Sequence, residues 1–463
     1  MTERAKRRRL GLTGSLRLAG AIALSALTAL TGALPASAQT RIAVVRDAEI
    51  EALLQDYARP IFAAAGLTSQ NIEIVLVNNR SFNAFVDGRR IFINTGALLL
   101  AETPGEIIGV LAHEAGHIAG GHQARLREQI ARSQVLGVVG GLLGIGAVAA
   151  GSLSDSSGTA QAGAGLATAS GSVAQRSLLN YRRGEEMNAD QAAIRYLDAT
   201  GQSGVGMLAT FRRFQQGLAL AGIQADPYEL SHPLPRERIA MLEQLVTQSP
   251  YVNAPTPPVL QMRHDLMRGK IAANVGGQSA VDRAFNGNRG NIGWRYGEAI
   301  ATHLAGAPGV ALQKIDALIA EQPNNAYFHE VRGEILLGTQ RERDAAASFE
   351  QATRLDSSNS GLIRAQRGFA LSNSGDAGSL DQAIADLRAA ISADPRNFNA
   401  YRQLAQAYDR AGDIANAELT IAEGHFHAGN RRDALVFAAR AQQKFQQGTP
   451  GWIRANDILT VAR

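Results

Sequence analysis

Hydrophobic positions recur with a helical period from Ile50 to Leu67, and then crowd together over Ile72-Glu73-Ile74-Val75-Leu76-Val77, which reads as a strand. Phe85-Val86 and Ile91-Phe92-Ile93 flank Asp87-Gly88, a dipeptide that marks a hairpin turn. Thr103 and Pro104 stand where a helix cap and first turn belong, ahead of apolar periodicity from Ile107 to Ile118. Val135 to Gly151 is aliphatic but laden with glycine, and a Ser/Gly/Ala low-complexity stretch follows to Ser172. A bilayer span needs about 20 apolar residues, and each glycine weakens a helix by roughly 1 kcal/mol relative to alanine. Residues 135–172 are therefore expected to form a lid or loop, with a buried core helix as the alternative. Helical patterns resume at Ala174–Ala199 and Gly204–Leu218, and a proline-bearing loop spans Asp226 to Arg238.

From Ala254 to Asn291 the chain is rich in proline and glycine and, outside Leu260–Met267, weakly periodic; a domain junction is expected over 266–291. Beyond it the sequence repeats itself. Ala311/Ile315/Leu318, Ala345/Phe349/Ala352, Ala383/Leu387/Ala390 and Ala417/Ile421/Gly424 share one small-large-small spacing, with starts 34, 38 and 34 residues apart. This resembles the tetratricopeptide repeat, whose period is about 34 residues. Gly333 and Ala405 fit the small position of the preceding helix, and Pro323 and Pro395 fit the closing proline. Ala434/Ala438/Ala441 begins half a period after Ala417, as when one helix serves two stacked hairpins. The reading is a repeat solenoid over 292–463, an architecture whose concave face binds extended segments.

Composition changes this picture in two ways. The 463 residues include no cysteine, which excludes disulfides, thiolate metal ligands and cysteine nucleophiles. Any metal must be held by histidine and carboxylate. The net charge of +5 is local, because residues 1–38 hold six basic groups against one acid, leaving 40 of each sign in the remainder. A phosphate-binding surface is therefore not indicated, and no nucleic-acid partner is expected. The basic start, the apolar run from Leu18 to Leu34 and Ala36-Ser37-Ala38 have the order of a secretory signal cleaved near Ala38.

The chemistry lies in His113-Glu114-Ala115-Gly116-His117. Four residues of helix bring His117 to within about 40° of His113, one turn along, so both imidazoles can grip one zinc ion. Glu114 is displaced around the helix, placed to take a proton from an activated water and pass it to a leaving amine. A catalytic zinc needs a third protein ligand. His122 is one residue out of register with the extended H-E-x-x-H-x-x-G-x-x-H pattern, where position 123 is Gln123, and it is assigned to the helix end. Glu186 and Asp190 are i,i+4 on a later helix; Glu186 could bind the metal while Asp190 orients a ligating histidine.

His113-Glu114-x-x-His117, Glu186-x-x-Ala189-Asp190 and His232-Pro233-x-x-x-Arg238 occur in the order found in gluzincin metallopeptidases of the HtpX/BepA type. The resemblance covers nearly the whole chain after the leader, since BepA-like members carry C-terminal tetratricopeptide repeats. It implies a mostly α fold with a small β-sheet: an α+β zinc peptidase domain over 39–265 followed by an all-α tetratricopeptide solenoid. It implies one Zn2+ held by His113, His117 and Glu186, Glu114 as general base and Asp190 as support for a ligand. His232 looks like the family's loop histidine, capping the metal at rest or stabilising the transition state. Arg238 looks like its basic partner, pairing with a carboxylate or a developing oxyanion. Ile91, Phe92, Ile93 and Asn94 correspond to the substrate-holding edge strand. The resemblance further implies an exported, periplasmic endopeptidase acting on unfolded or misassembled envelope proteins. The repeats would contact clients or outer-membrane assembly machinery, and the membrane surface would be touched peripherally. The alternative is an assembly scaffold or chaperone in which the repeats do the work and the peptidase site stays capped.

Overall fold

Asp47 begins the first helix: its carboxylate accepts from the Ile50 amide at 2.9 Å and caps α1 (Ala48–Ala64). The computed structural model describes residues 43–132, 179–221, 232, 236–376 and 378–461, with no side chains given for 216–221. The expected leader (1–38) and the glycine-laden stretch (135–172) lie outside the described residues. Among the described residues, no helix is long and apolar enough to cross a membrane. Val44 to the C-terminus forms one compact unit.

The strand patterns become a four-stranded sheet of β1 (Val44–Val45), β2 (Glu73–Val77), β3 (Ala84–Asp87) and β4 (Arg90–Asn94). Its order is β1-β2-β4-β3. β4 runs parallel to β2, with Val75 opposite Phe92, and antiparallel to β3, with Phe85 opposite Phe92. The hairpin between β3 and β4 turns at Gly88, whose φ of +63° is the left-handed conformation that glycine adopts freely. The short α2 (Thr95–Leu100) leads to α3 (Pro104–Gly120), whose start is fixed by Glu106 accepting from the amides of Glu102 and Thr103. Ile107, Val110, Leu111 and Ala115 of α3 are buried against α1 and α6 (Val205–Ala221). Each large aliphatic so buried contributes about 1.5–3 kcal/mol. Between α3 and α6 come α4, described over 122–132, and α5, over 179–199; α7 (Arg236–Gln248) closes this layer.

The segment expected to be a loosely patterned junction is mostly helix. α8 (Pro258–Ala284) continues through it, bent at Gly276-Gly277, and packs along α9 (Ile292–Leu304). Leu266, Ala272, Ala273 and Val281 are buried in the core shared with α9, α10 (Pro308–Glu321) and α11 (Ala326–Leu337). The many alanines and glycines of this region allow close helix contact, which is why its periodicity is faint in the sequence.

The repeat array then follows the expected pitch. α10, α12 (Glu342–Leu355) and α14 (Ser379–Ala393) bury the signature triplets Ala311/Ile315/Leu318, Ala345/Phe349/Ala352 and Ala383/Leu387/Ala390. A Cβ on Gly333 would stand 2.7 Å from the Phe349 ring, so the small position is enforced by that contact. α13 (Gly361–Asn373), α15 (Phe398–Arg410), α16 (Ile414–His427), α17 (Arg431–Lys444) and α18 (Pro450–Val461) complete the stack.

One buried charge cluster ties α1 to the repeats. Lys270 on α8 lies 2.9 Å from Asp47, 3.3 Å from Glu49 and 3.6 Å from Glu330 on α11. Tyr296 donates to Glu49 at 3.0 Å. Burial opposes the charge on Lys270, but Asp47, Glu330 and Glu49 outweigh it and hold the ammonium well above the ordinary lysine range. Acids outnumber the lone lysine. Burial, reinforced by Glu334, therefore pushes the Glu330 carboxyl well above 4.5 despite Lys270. A carboxyl raised in the folded state contributes stability that is complete below its ordinary pKa and is lost as pH rises through the raised value. Glu330→Gln mimics the protonated form. It is expected to raise the melting temperature at about pH 8 and to lose that advantage near pH 5, as thermal melts of both proteins would show.

Candidate active site

Helix geometry and one small residue bring the two motifs together. His113 and His117 lie one turn apart on α3, and α5 crosses the same face. The crossing is tight: a Cβ on Gly116 would stand 3.0 Å from the Ala189 carbonyl oxygen and 3.1 Å from its Cα. Glu186 and Asp190, on either side of Ala189, thereby reach the histidines. Glu186 carboxylate oxygens lie 3.4 Å from His113 Nε2 and 3.5 Å from His117 Nε2. The two histidine Nε2 atoms are 3.1 Å apart. His232 closes the group, its Nδ1 lying 3.1 Å from Glu186 and 3.4 Å from His113 Nε2.

These donors fit a metal ion. A tetrahedral ion bound at about 2.0–2.1 Å by nitrogen and oxygen sets its ligand atoms roughly 3.3–3.4 Å apart, close to the spacings found here. His113, His117, Glu186 and His232 are the one such group among the described residues. Glu114 supplies a second sign: it is fully buried, and both carboxylate oxygens lack a hydrogen-bond partner. A buried carboxylate without partners is costly unless it faces a ligand.

A further layer fixes the donors. Asp190 lies 2.9 Å from His113 Nδ1. Arg238 of α7 is itself fully buried and grips Asp190 in two-pronged fashion, Nε at 2.7 Å and Nη2 at 2.8 Å, while Nη1 reaches Glu186 at 2.9 Å. Burial opposes the charge on His113, but the bonds and charges of Asp190 and Glu186 raise it to about 10. Burial likewise opposes ionisation of Glu186, yet His232, His113 and His117 hold it well below the usual carboxylate range. The site is thus set up to attract positive charge. On its open side is a cavity of about 220 Å3 lined by Phe85, Glu114, His117, Gln123, Glu186 and His232.

The family model of peptidase family M48 matches residues 45–246, the segment that carries every group named above. In that segment the chain is similar to the M48 metallopeptidases. The chain is also similar to the β-barrel assembly-enhancing protease of Yersinia pestis, at 28% identity over 287 residues. That match covers 60% of this chain and 56% of the relative. The protein of the same name from Escherichia coli K12 is 26% identical over 292 residues, with the same coverage of each chain. The chain thus matches a little over half the length of these relatives. A crystal structure of MamA aligns with 35% of this chain and 91% of its own at 19% identity; its TM-score of 0.28 adds nothing to the fold described above.

Within residues 45–246, the structure bears on three sequence expectations. Ile91, Phe92, Ile93 and Asn94 are not an edge strand: β4 lies between β2 and β3, and all four are buried. The outermost strand beside the cavity is β3, because the parallel β2–β4 pairing occupies the far side of the hairpin. Of the two partners expected for Arg238, the structure shows the carboxylates: the buried guanidinium pairs with Asp190 and Glu186. His122 is more than a helix end. Gly121, left-handed at φ +64°, reverses the chain so that His122 Nδ1 meets His117 Nδ1 at 2.8 Å. Its Nε2 lies 2.9 Å from Glu185, which also holds Arg125 at 2.6 Å. Burial and His117 lower His122 to about 4 despite Glu185, so it meets His117 as a neutral ring. A signal for this role was present in the Gly120-Gly121 pair before His122, which permits a reversal.

Gly116→Val is expected to push α5 off α3 and strip the protein of bound divalent metal, as elemental analysis after gel filtration would register. Gly184→Ala, where an added Cβ meets nothing within 4 Å, should keep its metal.

Proposed function

We propose that the protein is an exported zinc-dependent endopeptidase that hydrolyses peptide bonds of misfolded or misassembled envelope proteins. The observation that carries this reading is Glu114, buried without a hydrogen bond beside the donor group of His113, His117 and Glu186, with His232 Nε2 3.5 Å from its Oε1. Imidazole and carboxylate donors at tetrahedral spacing suit zinc among divalent ions. Zinc, when bound, would supply Lewis acidity, polarising the scissile carbonyl and bringing water toward ionisation at neutral pH. The protein's own residues do the rest. Asp190, fixed by Arg238, orients His113 through Nδ1, and His122 does the same for His117. Glu114 takes the proton from the attacking water and returns it to the departing amine.

The substrate class follows from the fold. A strand at the sheet's margin beside the cleft would, once uncovered, recognise main chain without regard to sequence, which suits unfolded polypeptide. The relatives are named for β-barrel assembly, and the repeats would offer a surface for clients or for outer-membrane assembly machinery. A periplasmic location, a leader cleaved near Ala38, and peripheral membrane contact belong to the same reading.

Cleavage of casein tests the base. Glu114→Gln is expected to lose about 10²–10⁴-fold in rate while retaining zinc, and equal rates in both proteins overturn the assignment.

A specific observation favours a resting, capped site over a constantly active one. His232 sits within the donor group, its Nδ1 on Glu186 and its Nε2 3.2 Å from the Ala84 carbonyl oxygen of β3. It would have to leave before substrate could enter. His232→Ala is expected to raise casein cleavage several-fold at unchanged zinc content; a fall in activity at full zinc would instead make His232 part of the chemistry. A scaffold role for the repeats remains compatible with a site held closed in this way.

A further inference from the structure

Side chains at the cleft bond to three main-chain groups on the outer edge of β3. Asn83 faces β4, accepting from the Asn94 amide at 3.0 Å. Alternation along the strand therefore turns Ala84, Val86 and the amide of Gly88 outward. His232 takes the Ala84 carbonyl. One side chain takes two more of the outward groups: Gln123 Nε2 donates to the Val86 carbonyl, and Gln123 Oε1 accepts from the Gly88 amide at 2.9 Å. A carboxamide placed in this way presents the donor and acceptor that one residue of an added strand would present. It is held there by the Gly121 reversal, and Arg127 of the same helix lies 3.7 Å from Asp87 on the hairpin.

Building on the peptidase reading above, we infer that Gln123 is an uncharged plug of the β3 edge, displaced when the main chain of an extended polypeptide adds to that strand. Three features support competition over a purely structural bond. Gln123 lines the same cavity as Glu114, His117 and His232. The bonds it makes are to main chain, the part of β3 that every extended substrate would use. Being neutral, the carboxamide can be exchanged for a peptide group with no loss of a charge pair. Exposed strand edges invite uncontrolled pairing, and a removable side-chain cover answers that hazard.

The test is a binding comparison in zinc-loaded Glu114→Gln protein, which does not turn the ligand over. A fluorescent, unstructured casein-derived peptide is titrated against this protein with Gln123 intact and with Gln123→Ala, zinc content and thermal melts being matched. The expected result is about three- to tenfold tighter binding by Gln123→Ala. The gain should vanish for the same peptide N-methylated at alternate residues, which cannot complete the strand pairing. Hydrogen exchange without ligand gives an independent reading: the Gly88 amide should exchange faster in Gln123→Ala. Equal or weaker peptide binding by the variant, a gain that survives N-methylation, or unchanged Gly88 exchange would each overturn the inference. Failure of the peptidase reading would appear elsewhere, as zinc-loaded wild-type protein that leaves casein intact, and would not alter the binding comparison.

Discussion

A guanidinium buried between two buried carboxylates organises the candidate site of this molecule. Arg238 binds Asp190 through two nitrogens and Glu186 through a third. Removing such charges from water costs several kcal/mol each unless every partner is present, so the three can be buried only together. The pairing fixes α7 to α5. Through Asp190 it also fixes the tilt of His113, and through Glu186 the distance between the acid and both histidines. The close contact of Gly116 with Ala189 is its steric counterpart, because a larger residue would hold α5 too far away for either carboxylate to reach.

The same logic separates residues that meet substrate from residues that hold others in place. Glu114 and His232 line the cleft, whereas Asp190 and Arg238 are sealed behind it. His122 extends this support on the opposite side, linking His117 to Glu185 and Arg125. Each metal-facing histidine thus has a ring nitrogen engaged by a neighbour, which sets both orientation and tautomer. His232 and Gln123 both bond to the outer edge of β3, beside the same cavity.

The repeats are joined firmly to this domain. Lys270 draws Asp47 and Glu49 of the first helix toward Glu330 in the array, and Arg396 pairs with Glu73 of β2 at 2.5 Å. Ala48 also packs with Ala352 and Ile363 of the array. A client held by the repeats would therefore be presented to a domain whose first helix and sheet already lean on the same array.

Local order set much of this without tertiary information. The 3.6-residue period fixes His113 and His117 on one face wherever the helix lies, and Glu186 and Asp190 likewise. The 34-residue recurrence of small and large positions specifies stacked hairpins, because each buries its signature residues only against a neighbour. Other features depended on which distant segments met. Whether β4 or β3 is the edge turns on the parallel pairing of β2 with β4, which no strand pattern encodes. The helical course of 266–284 depends on α9 covering its small residues. The enclosure of Arg238, the aim of His122 and Gln123 after the Gly121 reversal, and the burial of Lys270 are likewise tertiary facts. A side chain's charge and reach are written in the sequence, but what it can pair with is decided by the groups that folding places within about 3 Å.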